Sequence, residues 1–212
     1  MRSRLSFLAV LLLATAATLS AQDLQRPAGW IVKADDPVAD GEPGLKFAAM
    51  PPGWHVTTGP AVILYDPALV ASGSFRVEAE TYRFPGESAS GFGFFLGGRD
   101  LEGAAPNYVA FLIDRDGRFE LHHRAGDTVH MISERTVHPA VVPWTEGTAD
   151  NVLAAEVRPD SIRFLVNEQQ LAVYARESYM DYDGNVGLRV GRDVNLHVTR
   201  LDVTPLAEPD AD

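Results

Sequence analysis

The chain contains no cysteine among its 212 residues, so no disulfide staples the fold, although the N-terminal leader described below marks the chain for export. Stability must come from core burial, and a domain of about 190 residues buries roughly 70% of its unfolded surface. There is also no excess of positive charge: the formal net charge is −11. That balance argues against a nucleic-acid partner, whose phosphates are neutralised by Lys and Arg, and against an anionic membrane surface. Outside the first twenty residues no segment shows the period of an amphipathic helix; Pro67 to Ser72 and Glu177 to Tyr182 are at most single turns. No internal repeat of propeller or solenoid length is present. No serine sits in a Gly-x-Ser-x-Gly elbow, and with cysteine absent a nucleophile dyad has no foothold.

Arg2 and Arg4 precede an uncharged run from Leu5 to Leu19 that ends in Ser20-Ala21-Gln22. The run is shorter than the roughly 20 apolar residues a membrane span needs. It reads as a signal peptide over 1–21, cleaved near Ala21, which takes the protein out of the cytoplasm to the periplasm or the medium. The absence of cysteine after the run excludes a lipoprotein anchor there. Loss of Arg2 and Arg4 with the leader moves the formal charge from −11 to −13, and no membrane attachment is expected after cleavage.

Residues 22–44, rich in Pro, Gly and Asp, read as an N-terminal strand near Trp30 to Val32 followed by a loop. From 45 to 205 strand patterns follow one another at short intervals, and 206–212 read as a disordered acidic tail. The predicted strands are Leu45 to Met50, Trp54 to Thr57, Ala61 to Tyr65, Ser74 to Phe84, Gly91 to Gly97, Tyr108 to Asp114 and Arg118 to Arg124. They continue with Val129 to Ser133, Asn151 to Arg158, Ser161 to Val166, Gln170 to Tyr174, Asn185 to Val190 and Val194 to Thr204. Asp116-Gly117, Pro159-Asp160 and Asn167-Glu168 supply turn chemistry between neighbours, and Ser88-Ala89-Ser90-Gly91 reads as one more hairpin connector. The fold class is all-β, a two-sheet antiparallel jelly-roll sandwich.

Alternation assigns faces. Phe75, Val77 and Ala79 face one way, and Arg76, Glu78, Glu80 and Tyr82 the other. Tyr108 to Asp114 is almost wholly apolar, as a central strand covered on both sides should be. His122 with Arg124 opposes His123, while Asn195, His197 and Thr199 oppose Val194, Leu196 and Val198.

Pro52-Gly53-Trp54-His55-Val56-Thr57-Thr58-Gly59-Pro60, Phe75-Arg76-Val77-Glu78-Ala79-Glu80, the glycine-rich Gly91-Phe92-Gly93 through Gly97-Gly98-Arg99-Asp100, Asp116-Gly117-Arg118-Phe119 and Asn185-Val186-Gly187-Leu188-Arg189-Val190 together resemble exported bacterial sandwiches of the concanavalin A-like lectin and glucanase type. The nearest in character is the laminin G-like 3-keto-disaccharide hydrolase domain. The resemblance covers about Phe47 to Pro205 and implies two curved sheets, the concave one carrying a carbohydrate site. Glucanases of that type carry Glu-x-Asp-x-x-Glu, and Glu78-Ala79-Glu80 lacks its middle Asp and its third carboxylate.

Three readings follow. In the leading one the protein is a noncatalytic sandwich binding a glycan or related small ligand on its concave sheet. Tyr82, Tyr108, Trp144 and Tyr182 would offer stacking faces, while Arg76, Glu78, Glu80, Arg99, Asp100, His122, Arg124, Asn195 and His197 would be polar partners. In the second it is a glycoside hydrolase of 3-keto-disaccharide type, with Glu78 or Glu80 as acid and base. In the third it is a structural or protein-interaction module. Trp30 and Trp54 are expected to plug the sandwich ends. No cofactor is required, but calcium is possible at Asp181, Asp183 and Asn185, or at Asp35-Asp36. A zinc site from His122 and His197 needs their strands in one sheet. The ligand-face expectation is equally specific: Glu78, Glu80 and Tyr82 should meet Arg99, His122 and Arg124 across neighbouring strands.

Overall fold

A computed structural model describes residues 27–34, 44–176 and 180–207 of the chain. The leader, the Asp35-Asp36 pair and the tail from 208 onward lie outside the described residues. Fourteen strands are present among those described and no helix. They are β1 (Ile31–Ala34), β2 (Lys46–Ala49), β3 (Trp54–Thr57), β4 (Val62–Ala71), β5 (Phe75–Arg83), β6 (Phe92–Arg99) and β7 (Asn107–Ile113). The second half comprises β8 (Arg118–Ala125), β9 (Thr128–Val137), β10 (Ala149–Val157), β11 (Ser161–Val166), β12 (Gln169–Ala175), β13 (Gly184–Val190) and β14 (Asn195–Pro205). Each predicted strand is found; β4 runs on through Asp66 and Pro67 to Ala71, where only a turn was expected.

Two antiparallel sheets of seven strands form a jelly-roll sandwich: β1-β4-β13-β6-β7-β8-β9 in the first and β12-β11-β10-β5-β14-β3-β2 in the second. The hairpins rest on the expected chemistry. Gly117 turns β7 into β8 at φ +78°, and Asn167 with Glu168 turn β11 into β12 at +51° and +62°. β10, β11 and β12 form the expected meander. The 84–91 connector does not close a hairpin; it carries the chain from β5 in the second sheet to β6 in the first.

Inward-facing side chains of both sheets make the core. Phe94, Phe111 and Phe164 are fully buried, with ring centroids 5.6 Å apart for the first pair and 5.2 Å for the second. β7 is buried on both faces. Its Val109, Phe111 and Ile113 enter the inter-sheet core, while Tyr108, Ala110 and Leu112 join Ile63, Tyr65, Phe95 and Leu101 in a second apolar cluster on the outside of the first sheet. The two lateral edges of the sandwich differ. At the edge formed by β1, β2 and β3, Trp30 packs on Trp54 at 4.7 Å and on Phe47 at 5.3 Å, an aromatic plug between the sheets. At the other edge β9 and β12 frame a cavity.

Candidate functional site

β5 runs through the middle of the second sheet and sets its outer surface. Its inward residues, Phe75, Val77, Ala79, Thr81 and Arg83, are at most 1% exposed, whereas Arg76, Glu78, Glu80 and Tyr82 stay half-buried on the outer face. Register then decides their neighbours. β10 places Glu156 opposite Arg76 and Asp150 opposite Tyr82. β14 places Arg200 opposite Glu80 and His197 opposite Tyr82, and β3 places His55 opposite His197.

One half of this face is a network of charges. Arg76 donates to Glu78 Oε2 through Nε and Nη2 at 3.1 and 2.7 Å, to Glu156 Oε1 at 3.0 Å and to Glu168 Oε1 at 2.7 Å. Burial opposes the charge on Arg76, but the hydrogen bonds to Glu78 and Glu156 more than offset it, so the guanidinium holds its proton more firmly than usual. Arg200 donates to the other oxygen of Glu78 and lies 3.4 Å from Glu80. Glu80 accepts the Tyr82 hydroxyl at 2.7 Å. That bond, with Arg200 nearby, holds its carboxyl below the usual range against the opposing effect of burial.

The other half is aromatic. The ring of Tyr82 lies 6.3 Å from that of His197, which lies 6.2 Å from that of His55; the His55 ring in turn meets Phe84 at 5.4 Å. His197 Nε2 is 2.9 Å from the carbonyl oxygen of Pro52, a group that can only accept, so Nε2 carries the proton and Nδ1 presents a lone pair. Burial, then the neighbouring His197, pushes the His55 pKa down against a hydrogen bond to Asn195, leaving the imidazole neutral at pH 7. The Nδ1 atoms of both histidines are buried and have no hydrogen-bond partner in the protein. The two imidazoles continue the Tyr82 ring as a short aromatic row beside the ion-paired half of the face.

The sequence expectation for this site divides in two. Arg76, Glu78, Glu80, Tyr82, Asn195 and His197 do share the outer face of the second sheet. Arg99, Asp100, Tyr108, His122 and Arg124 do not join them, because β6, β7 and β8 belong to the first sheet and turn these groups to the opposite side of the molecule. The proposed meeting of Glu78, Glu80 and Tyr82 with Arg99, His122 and Arg124 is therefore wrong, as is the pairing of His122 with His197 on a metal. Tyr108 and Tyr182 are each 1% exposed, so neither offers a ring face to a ligand. Arg99 pairs with Asp181 and donates to the Asp183 carbonyl at 2.9 Å; Asp100 caps its own turn by accepting from the Ala105 amide at 2.9 Å. His122 is 3.8 Å from Glu120, and Arg124 donates to the Gly126 carbonyl.

The calcium candidates face cations and carbonyls. Asp181 is held below its usual range by Arg99 and by the Asp183 amide, Asp183 accepts from Arg176 at 3.3 Å, and Asn185 donates its amide to the Pro67 carbonyl at 3.0 Å. No group of three His, Cys, Asp or Glu side chains suited to a metal occurs among the described residues.

His55, Arg200 and Arg83 were missed from sequence. His55 was within reach, since the Trp54–Thr57 alternation sets it opposite to buried Val56. Arg200 was not: strict alternation turns it inward, but a bulge between Val198 and Arg200 puts one extra residue into β14 and turns Arg200 out beside Glu80. Buried Arg83 donates to the carbonyls of Asn195 and Ser88, both at 3.2 Å, and so ties the end of β5 to β14 and to the connector that leaves the sheet.

No protein-family model matches the chain, and no curated protein matches it in sequence. Solved structures match its fold. The carbohydrate-binding module CBM66 from Bacillus subtilis aligns with a TM-score of 0.61 at 11% identity, covering 82% of this chain and 94% of that one. A Bacillus subtilis protein of unknown function with a galectin-like fold aligns at 0.62 and 10% identity, covering 85% and 90%. A Bacteroides ovatus mixed-linkage glucan GH16 protein aligns at 0.59 and 8% identity, covering 86% and 97%. The chain shares the two-sheet jelly-roll sandwich fold of these structures.

Proposed function

We propose that this protein is an exported, noncatalytic carbohydrate-binding sandwich that holds a neutral glycan on the outer face of its second sheet. The observation that carries this reading is the row of Tyr82, His197 and His55 rings, lying beside side chains that already pair with one another. Tyr82 supplies the stacking face, the His197 ring extends it, and Glu80, Asn195 and Arg200 border it with polar groups. Arg76 and Arg200 are matched by carboxylates, so this face offers neither of them freely to an anionic sugar. The fold supports the reading, since CBM66 is named as a carbohydrate-binding module. Export rests on the leader sequence.

The hydrolase alternative needs one carboxyl that keeps its proton near neutral pH. Glu80 is pushed the other way, and Glu78 lies between two guanidiniums. The test is a screen of the mature protein against neutral and anionic glycans by affinity electrophoresis, with reducing-sugar release followed on the same glycans. Binding of a neutral glycan that weakens about 10-fold or more in Tyr82→Ala and in His197→Ala, each folded, is the expected result; 10-fold corresponds to about 1.4 kcal/mol. Sugar release that Glu80→Gln abolishes would install the hydrolase instead, and glycan binding indifferent to both substitutions would remove the site.

A further inference from the structure

The sandwich is closed along one lateral edge by Trp30, Trp54 and Phe47, and left open along the other. There a cavity of about 580 Å³ lies between β8 and β9 of the first sheet and β12 of the second, lined by His123, His130, Ile132, Tyr174, Ala175 and Met180 with Met131 at its rim. The size falls within the range of roughly 300–1,000 Å³ typical of small-molecule sites. Its wall continues the aromatic row of the core, since Tyr174 packs on Phe164 at 6.4 Å, and Phe164 on Phe111 at 5.2 Å.

The chemistry of the lining narrows the occupant. Among the described residues no Asp, Glu, Lys or Arg side chain lines the cavity, so none of them balances a charged ligand there. The thioethers of Met131 and Met180 adapt to apolar and aromatic shapes. Its polar side-chain groups among the described residues are the Tyr174 hydroxyl and two imidazoles, the latter directly opposite each other across β8 and β9, with ring centroids 6.0 Å apart and planes tilted by 31°. His123 Nε2 is 3.2 Å from Asn107 Oδ1, an acceptor, which puts the proton on Nε2 and leaves Nδ1 to accept. Burial, then His130, holds the His123 pKa below the usual value, so this acceptor persists at neutral pH.

We propose that this cavity is a second ligand site, separate from the glycan face, that takes an uncharged aromatic molecule carrying one hydroxyl or N–H donor. The ring lies between Tyr174, Ile132 and the thioethers, and its donor points to an imidazole. The site is independent of the glycan-binding reading, because it uses the space between the sheets rather than the outer face of the second one.

N-phenyl-1-naphthylamine is neutral and aromatic, carries one N–H and brightens in apolar surroundings, so it is the probe. Saturable enhancement with one site per chain is expected. It should fall at least 10-fold in affinity in Ala175→Trp, whose indole fills the mouth from an exposed position, and stay unchanged in Tyr82→Ala. Should Ala175→Trp fail to fold, the imidazole resonances of the parent protein decide. Those of His123 and His130 should move on titration while those of His55 and His197 stay still. Absence of saturable enhancement, affinity unaltered in folded Ala175→Trp, or movement of His55 and His197 alone would each overturn the proposal, and the glycan screen is read separately from all three.

Discussion

Replacing Arg76 with Met keeps most of the side-chain stem and removes one guanidinium from among three carboxylates. Glu78 and Glu156 have side chains only 19% and 17% exposed, whereas Glu168 is 70% exposed. Stripping a buried carboxylate of its partner costs about 3–5 kcal/mol, while an exposed pair contributes about 0–1 kcal/mol. Here the loss is softened twice. Glu78 retains Arg200 and Glu156 retains Arg158 at 3.8 Å, and water reaches part of each group. A cost of about 2 kcal/mol follows, which for a domain of this size lowers Tm by about 4–8 °C. Glu168→Gln should cost under about 0.5 kcal/mol, because water already solvates most of that carboxylate. Urea and thermal unfolding of the parent, Arg76→Met, Glu156→Gln and the double variant complete a cycle, with a coupling of about 1–2 kcal/mol expected between Arg76 and Glu156. If Arg76→Met were no more damaging than Glu168→Gln, the network would be a surface decoration and the cost reasoned from its partial burial would be refuted.

Three further outcomes are expected. Gly53 sits at φ +85°, where a Cβ would come within 1.9 Å of the Val198 carbonyl oxygen, so Gly53→Ala should destabilise by about 3 kcal/mol in urea titrations and displace the Pro52 carbonyl that orients His197. Phe111→Ala removes a fully buried ring between Phe94 and Phe164 and should cost about 3–5 kcal/mol in the same assay. His55 and His123 are both held below the ordinary 6.5, so the unfolded chain binds their protons more tightly. Stability should therefore fall as pH drops from 6.5 through the folded values, and a His55→Asn, His123→Asn variant should show a flatter Tm profile between about pH 7.5 and 5.

The split of the candidate site between two sheets shows where sequence reasoning stops. A two-residue period states which side chains share a face of one strand, and it placed Arg76, Glu78, Glu80 and Tyr82 correctly because β5 is regular from end to end. Turn chemistry also carries local information: Gly117, Asn167 and Glu168 have the positive φ angles that fold two strands into a hairpin, and each of those hairpins is present. Residues 84–91 contain no such angle. A connector of that length, at up to about 3.3 Å per residue, spans the roughly 10 Å between packed sheets as readily as it turns back within one. Sheet membership is thus decided by the joint burial of both inner faces, to which many strands contribute at once, and adjacency in sequence gives no access to it. Arg99, His122 and Arg124 follow β5 closely in the chain and lie across the sandwich from it. His55 and His197 are 142 positions apart in the numbering and meet on neighbouring strands. The same reasoning explains the mixed outcome on β14. Its period carries Asn195 and His197 to the outer face, but a single bulged residue reverses the assignment from Arg200 onward, and a bulge in an otherwise ordinary strand leaves no mark in residue type. The outer face of the second sheet is accordingly half regular alternation and half register. Tyr82 was readable in the sequence, whereas its alignment with the His197 and His55 rings emerges only when β3 and β14 pair.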